Sequence, residues 1–334
     1  MNWLVIDAYT ALVSGIFTIF MGFFVFLKSP KKKLNIIYLL FSISMADWLL
    51  SGFMFHSSKT EVEAIFWDRM IYMGVSFLPA YLTHMGFIFT NRDKKERGLI
   101  RFGYLTSFIF AFLTQNNNFV DGTYNYSWGM HSQAKIFHNL LVVFFLAFAA
   151  IFFWKMYKFL KTPGKKNDEQ MQQMKYFLIF NGFLFSGSYA FLAAYGIDLN
   201  PFGTYILEFS SLLILAFAIT KYHLFETKVL LTEVLVGAMA VVLLILPFLM
   251  PSALLITISV VVFVLFCFVG YLLVKLTTKE VKAKENFENM VGERTKELAE
   301  RNKELEKFYK LTIGRELRMA ELKEKIKELG NKQH

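Results

Sequence analysis

The sequence predicts an all-α protein: a polytopic helical membrane bundle of seven plus two transmembrane helices, followed by a cytoplasmic amphipathic or coiled-coil helix. Three observations lead to this class. Hydrophobic residues make up 55% of the 334 residues, including 39 Phe, which is well above the balance of a soluble domain. These residues are gathered in long apolar runs with short, often basic, stretches between them. From about Val281 onward charged residues dominate instead, so a polar tail follows the membrane part.

Nine apolar runs are candidates for membrane-spanning helices, since crossing a bilayer takes about 20 mostly apolar residues. Helices are expected because unpaired backbone polar groups are too costly in lipid. The fourth run is short, and Pro247 and Pro251 separate the last two, which predicts a tight hairpin there. The predicted spans are 8–27, 34–55, 66–90, 99–114, 134–157, 174–195, 202–220, 229–249 and 253–274.

These spans divide the chain into three predicted parts. Residues 1–228 form a seven-helix membrane domain, and residues 229–275 form a transmembrane hairpin of two helices. Residues 276–334 form a cytoplasmic coiled-coil helix.

The distribution of basic residues predicts the orientation of the chain. The loops that follow odd-numbered spans are basic, as in KSPKKK at 28–33, whereas GIDLNP at 196–201 has no Lys or Arg. Because basic loops stay in the cytoplasm, we predict a multi-pass protein of the cell (cytoplasmic) membrane with its amino terminus outside and its carboxyl terminus inside. The net charge of +10 is explained by membrane lipid headgroups as the partner, and no nucleic acid is required.

The longest predicted exterior loop, 115–133, contains Asp121-Gly122 between aromatic residues. This dipeptide is a turn signal and predicts a small hairpin over the helices.

Deeper in the bundle, a lone His84 in the third span predicts an interhelical hydrogen bond. The other histidines have no spacing typical of a metal site, and we predict neither a metal nor a cofactor.

Ionisable residues inside the predicted spans are candidates for a binding site, because such residues usually face the bundle interior. Asp47 in the second span and Glu208 in the seventh both fall in the outer half of the membrane. Arg69 lies near the outer end of the third span, where it would neutralise one of the two acids. Trp48 and Tyr205 are close by in sequence. These five residues predict either an outward-facing pocket for a small ligand such as an amine, or a structural ion-pair cluster.

The tail has heptad spacing typical of a parallel coiled coil, which predicts a homodimer. The seam is imperfect because Arg294, Arg301 and Arg315 fall on one of its two lines, and such a marginal coil is suited to two alternative packings. The alternative is a single solvated helix. The predicted seam residues are Val291, Leu298, Leu305, Phe308, Met319, Leu322 and Ile326.

Two stretches resemble the amino-terminal seven-helix sensor region of bacterial histidine kinases. The first is FWDRMIYMGVSFLPAYLTHMGFIFT at 66–90, which contains Pro79. The second is LAFAITKYHLFETK at 215–228, which is similar to the signature that ends the seventh helix in that family. The residues that match this signature are Ala218, Ile219, Lys221, Tyr222, Leu224, Phe225 and Glu226. The two further spans and the coil resemble the linkers that these proteins place before their kinase.

The resemblance implies a sensor of a two-component system, but GRELRMAEL at 314–322 departs from the phosphorylation strip of the kinases. Glu316, Leu317 and Arg318 match the strip, while Arg315 stands where the phospho-accepting histidine would be. We therefore expect a non-catalytic signal-input protein. It would relay a signal from the outer face to a cytoplasmic dimeric coil, and from there to a separate kinase or another output protein. The alternative is a transporter or channel subunit, although the sequence has no internal repeat typical of transporters.

Reporter fusions test the predicted orientation. Fusions after Pro30, Lys95 and Lys165 should place the reporter in the cytoplasm, because basic loops resist translocation. Fusions near Asn117 and Asp198 should place it outside. The ratio of alkaline phosphatase activity to green fluorescence measures the location at each site, and a reversed ratio at any one of them contradicts the nine-span topology.

Overall fold

The computed structural model describes residues 3–162, 168–199, 203–222, 231–245 and 253–331. These residues form a nearly all-α protein, which confirms the predicted class. A β-hairpin joins α5 to α6, and a 3₁₀ helix, Gly187–Tyr195, follows α7 directly. The elements are α1 Trp3–Lys28, α2 Lys33–Ser57, α3 Glu61–Val75, α4 Leu78–Phe89, α5 Arg97–Leu113, β1 Val120–Tyr126, β2 Gly129–Ala134, α6 Ile136–Lys161, α7 Asp168–Ser186, α8 Thr204–Tyr222, α9 Leu231–Ile245 and α10 Ala253–Asn331.

Six helical segments of the described chain are long and apolar enough to cross a membrane. They coincide with the first, second, third, fifth, sixth and ninth predicted spans. The fourth, seventh and eighth are shorter: α5 has 17 residues, and the apolar stretches of α8 and α9 are Thr204–Leu215 and Thr232–Val241. The predicted turn at Pro247 and Pro251 lies outside the described residues. The multi-pass helical class is thus confirmed, whereas the count of seven plus two is not. The six segments are Ile6–Lys28, Lys33–Ser57, Glu61–Phe89, Ile136–Lys161, Met171–Tyr195 and Ile256–Lys323.

The third predicted span consists of two helices rather than one. α3 ends at Val75 and α4 begins at Leu78, with Pro79 in its first turn. Proline is tolerated there because the first N–H groups of a helix have no intrahelical acceptor. Every residue from Leu78 to Phe87 is buried, so α4 lies at the centre of the bundle against α2, α5 and α6. His84 Nδ1 lies 2.9 Å from the Tyr104 hydroxyl of α5, which confirms the predicted interhelical hydrogen bond.

Small residues let α1, α2 and α3 approach one another closely, as is typical of helix packing in membranes. Gly22 of α1 lies against Ser42 of α2. Gly74 of α3 lies against the backbone of α2, where a Cβ would collide with the Ser44 carbonyl oxygen. These contacts hold α2 against both α1 and α3.

The loop at 115–133, which is predicted to be exterior and is called the exterior loop below, contains the predicted hairpin, but the turn is not at Asp121-Gly122. β1 and β2 pair antiparallel with Tyr126 opposite Gly129, so the turn lies at 127–128. Asp121 and Gly122 instead form an irregularity within β1, where Gly122 has a φ of +75°. A bulge and a turn both favour glycine at positive φ, so the dipeptide alone does not distinguish them.

The chain has two compact units, Met1–Tyr271 and Leu272–His334. In the first unit, α9 packs against α1 and α8. The described part of the second unit is helical throughout and belongs to α10.

The close contact between α2 and α3 predicts the effect of a single methyl group. Gly74→Ala should destabilise the protein by about 1–3 kcal/mol, because the backbone carbonyl of Ser44 cannot move aside as a side chain would. Gly182→Ala, in α7, is the matched control, since a Cβ there meets nothing within 4 Å. Thermal unfolding in detergent measures both variants. Equal melting temperatures for the two would contradict this packing.

Candidate functional site

A cavity of about 60 Å³ lies where α2, α3, α8, the 3₁₀ helix and β2 meet. We call it the inner cavity. By the rule that one ordered water needs about 10–15 Å³ of such space, it has room for a few water molecules or a small polar group. Its titratable lining residues come from four different elements. They are His56, Asp68, Tyr72, His131 and Tyr205.

A second space of about 300 Å³, the outer cleft, lies between the hairpin and the adjoining ends of α2 and α3. Tyr126 and Trp128 form part of its wall, with their rings stacked at 4.8 Å between centroids. Phe55 and His56 line both spaces, so the inner cavity and the outer cleft adjoin at these two side chains. Together the two spaces reach the size of a small-molecule site, about 300 Å³ or more.

Asp68 is the buried acid of the inner cavity, and it is not among the residues that the sequence predicts for the site. It is 2% exposed, and its Oδ2 has no hydrogen-bond partner among the described residues. The signal was present in the helical spacing: Ala64, Asp68, Tyr72 and Val75 recur every three or four residues and are all buried. This stripe places Asp68 on the interior face of α3.

Arg69 follows Asp68 in sequence but points to a different partner from the predicted one. Its guanidinium donates to the Gln115 carbonyl at 3.3 Å, to Asn117 Oδ1 at 2.8 Å and to the Val120 carbonyl at 3.0 Å. Within the described part of the chain it forms no ion pair with either predicted acid. Successive helical residues face directions about 100° apart, so Arg69 holds the exterior loop while Asp68 faces inward.

The two predicted residues on α2 separate in the same way. Trp48 lines the inner cavity. Asp47 is only half-buried and contacts Ser51 and the backbone of Gly74. It is thus a contact between α2 and α3 and does not line the cavity.

The two predicted residues on α8 lie in the cavity wall or directly behind it. Tyr205 lines the inner cavity, and its ring meets that of His56 at 5.7 Å in a T-shaped contact. Glu208 is fully buried, and neither of its carboxyl oxygens has a hydrogen-bond partner. A Cβ at Gly187 would collide with Glu208 Oε1, and Gly187 itself lines the cavity. The carboxyl group of Glu208 therefore stands just behind the wall.

Three buried acids that form no ion pair with a described residue lie around Tyr205. Asp7 of α1, Asp68 and Glu208 all lie within electrostatic reach of its hydroxyl group. By contrast, three ion pairs between described residues of the first unit lie on the predicted cytoplasmic side, with N–O distances of 2.6–2.9 Å. In one of them the ammonium of Lys33 donates to Asp93 and holds the pKa of that carboxyl below its usual value. They are Lys28–Glu233, Lys33–Asp93 and Lys155–Glu96.

The fold also brings together histidines that are scattered in the sequence. His56 and His131 both line the inner cavity although 75 residues separate them in the chain, and His138 Nδ1 lies 3.0 Å from the Tyr195 hydroxyl nearby. Among the residues that the structure describes, no group of three or more His, Cys, Asp or Glu is arranged to hold a metal ion. The inner cavity is therefore lined mainly by apolar and aromatic side chains, among which lie one carboxyl group, that of Asp68, and two histidines.

Residues 10–228 match the family described as the N-terminal 7TM region of histidine kinase. The chain belongs to this family. The match covers more than half of the chain and contains every residue of the inner cavity and the outer cleft. No curated protein and no solved structure matches the chain. As a histidine kinase 7TM region, the matched part is a membrane sensor-input region, and the two spaces are its candidate binding site.

The three hydrogen bonds of Arg69 predict a local role in holding the loop. Arg69→Gln should raise the rate of amide hydrogen exchange at 115–120 by about tenfold, since hydrogen bonds from charged groups contribute about 1.5–3 kcal/mol and these are partly exposed. Arg69→Lys keeps the charge but loses the planar fork, and it should show an intermediate rate. Exchange that is unchanged in Arg69→Gln contradicts this role.

Proposed function

We propose that the protein is a non-catalytic signal-input protein of the cell membrane, with its amino terminus outside. A small ligand binds in the inner cavity and the outer cleft, and the change is relayed to a dimeric cytoplasmic coil. The observation that carries this proposal is the cavity itself: it lies inside a membrane sensor region, the buried Asp68 is in its wall with Glu208 directly behind, and neither acid has an ion pair among the described residues. Ionisable groups inside membrane bundles are costly and mark ligand or ion sites.

The five residues predicted for binding take two roles in this proposal. Trp48, Tyr205 and Glu208 bind or polarise the ligand, because they line the inner cavity or stand directly behind its wall. Asp47 and Arg69 instead fix the frame, Asp47 between α2 and α3 and Arg69 on the exterior loop.

The relay that we propose runs along α1. Near its start, Asp7 lies within electrostatic reach of Tyr205 at the cavity. At its end, Lys28 forms an ion pair with Glu233 of α9 at 2.7 Å. A shift of α1 at the ligand site would therefore move the ion pair as well. Because helices move as rigid elements with discrete packings, this is a suitable two-state element.

From α9 the proposed relay continues to α10 within the first unit. The two helices approach closely, since a Cβ at Gly270 of α10 would lie 2.5 Å from Val236 Cγ1 of α9. Phe20 of α1 packs against the next residue of α9, Gly237. α9 thus contacts both α1 and α10.

The apolar side chains of the tail support a second copy of the chain as its partner. In the single chain these side chains are exposed, with Leu298 at 62%. Apolar residues at heptad spacing are stable in water only when a second helix covers them. The side chain of Ile326 lies outside the described residues. In the dimer the coil would pass the signal to a separate kinase or another output protein. The exposed seam residues are Val291, Leu298, Leu305, Phe308, Met319 and Leu322.

Disulfide crosslinking tests the dimer. In a Cys267→Ser background, Leu298→Cys should crosslink under mild oxidant in membranes, because each seam residue of a parallel pair faces its own copy. Glu300→Cys, off the seam, is the matched control and should crosslink at least about fivefold less, since its sulfur atoms point away from the partner helix. Equal crosslinking at the two positions means that the tail is a single solvated helix, and the proposed dimer must then be abandoned.

A further inference from the structure

We propose that the inner cavity and the outer cleft form one site for a small organic cation. Its primary ammonium group would lie in the inner cavity beside Asp68, and its aromatic body would lie in the outer cleft. This inference rests on the proposed sensing function and names the chemical class of its ligand.

Charge is the first argument. The side chains of Asp68 and Glu208 are 2% and 0% exposed, and three of their four oxygens have no hydrogen-bond partner. Among the described residues neither acid forms an ion pair. Of the two basic side chains that act on Asp68, Arg69 donates its hydrogen bonds to the exterior loop, and His131 lines the same cavity. A buried carboxylate requires a paired cation or a set of donors. An ammonium group supplies both, since it carries a positive charge and three N–H donors.

The aromatic lining is the second argument. Trp48, Tyr72 and Tyr205 line the inner cavity together with the buried acid. Aromatic faces attract cations through their negative ring surface, and most strongly where water is excluded. An anionic ligand would meet the carboxyl groups and the ring faces unfavourably, so the lining selects for positive charge.

Size and access are the third argument. The inner cavity, about 60 Å³, fits an ammonium group with one or two methylenes, whereas the outer cleft, about 300 Å³, fits an aromatic ring. Phe55 and His56 line both, so a short chain between ring and ammonium would pass these two side chains. The wall of the cleft is preformed. The Tyr126 hydroxyl donates to the Ala193 carbonyl at 2.7 Å, and the Trp128 indole donates to Asp198 Oδ1 at 2.8 Å.

The competing account is that Asp68 is protonated and serves only the packing of α3. The two accounts differ in what a charged ligand does. If Asp68 is a neutral structural group, exchanging its carboxyl for an amide changes little, and a cation gains nothing over a neutral molecule of the same shape.

The test uses the purified full chain in detergent and 2-phenylethylammonium as the probe, with 2-phenylethanol as its neutral counterpart. Thermal unfolding at increasing concentrations of each compound, at constant ionic strength, reports binding to the folded state. We expect 2-phenylethylammonium to raise the melting temperature and 2-phenylethanol to have little effect. In Asp68→Asn the apparent affinity for the ammonium compound should fall by about tenfold or more, because a charge-assisted contact is lost.

Two further variants separate the site from general effects. Asp47→Asn removes a nearby acid that does not line the cavity, and it should keep most of the affinity. Ser58→Trp fills the outer cleft without touching the buried acids, and it should weaken binding in a protein that still contains Asp68. It therefore keeps the test decisive even if Asp68→Asn fails to fold.

Equal stabilisation by the two compounds, or undiminished affinity in Asp68→Asn, overturns the inference. So does the absence of any stabilisation of the wild type by the ammonium compound at millimolar concentration. These results would leave the proposed relay intact, because they do not involve the tail. Conversely, binding as expected without any effect on tail crosslinking would support the cation site and contradict the relay.

Discussion

A membrane interior gives a polar group no water, so each buried carboxyl group must find its partner within the protein or in a ligand. Most polar groups of this bundle meet that requirement internally. His84 bonds to Tyr104, and hydroxyl side chains such as Thr18 bond to a carbonyl one turn earlier. The carboxyl groups around Tyr205 meet it only in part: among the described residues Asp7 Oδ1, Asp68 Oδ2 and both oxygens of Glu208 have no hydrogen-bond partner. Because these oxygens lack hydrogen-bond partners and the acids lack ion pairs among the described residues, we propose that the predicted outer end of the bundle is a binding site.

The rest of the fold can be understood as the frame that keeps these groups in place. The break between α3 and α4 ends α3 just beyond the cavity, and the glycine contacts hold α2 against α1 and α3. Arg69 and the Trp128–Asp198 hydrogen bond fix the exterior segments over the site. On the predicted cytoplasmic side, ion pairs replace unpaired acids, and one of them, Lys28–Glu233, joins the sensor region to α9. The two ends of the bundle therefore differ in their charged groups: at one end the described buried acids lack ion pairs, and at the other end acids are paired with lysines.

Much of this could be predicted from the sequence, for clear physical reasons. Apolar runs of bilayer length predict helices irrespective of their neighbours. Pro79 lies where the third predicted span divides into α3 and α4. The site was harder, because it depends on which residues distant segments bring together. Depth in the predicted membrane spans alone predicts Asp47 and Glu208 as site residues. Whether a side chain reaches the cavity depends instead on the direction in which it points from its helix. Asp68 and Arg69 show this most clearly: they are adjacent in sequence, and one faces inward while the other holds a loop. Likewise, His56 and His131 become neighbours of one cavity only through the position of the hairpin.

The central claim of our proposal is that the charge of Asp68 in the inner cavity controls the packing of the tail. The most direct measurement is the rate of disulfide formation at Leu298→Cys, with Cys267→Ser, in membranes that carry either the native Asp68 or Asp68→Asn. If the two sites are coupled by a typical allosteric free energy, removing the charge should change the rate by about fivefold or more. Gly182→Ala should leave the rate unchanged, because that position meets no neighbour within 4 Å. Identical rates with and without the Asp68 charge would contradict the account.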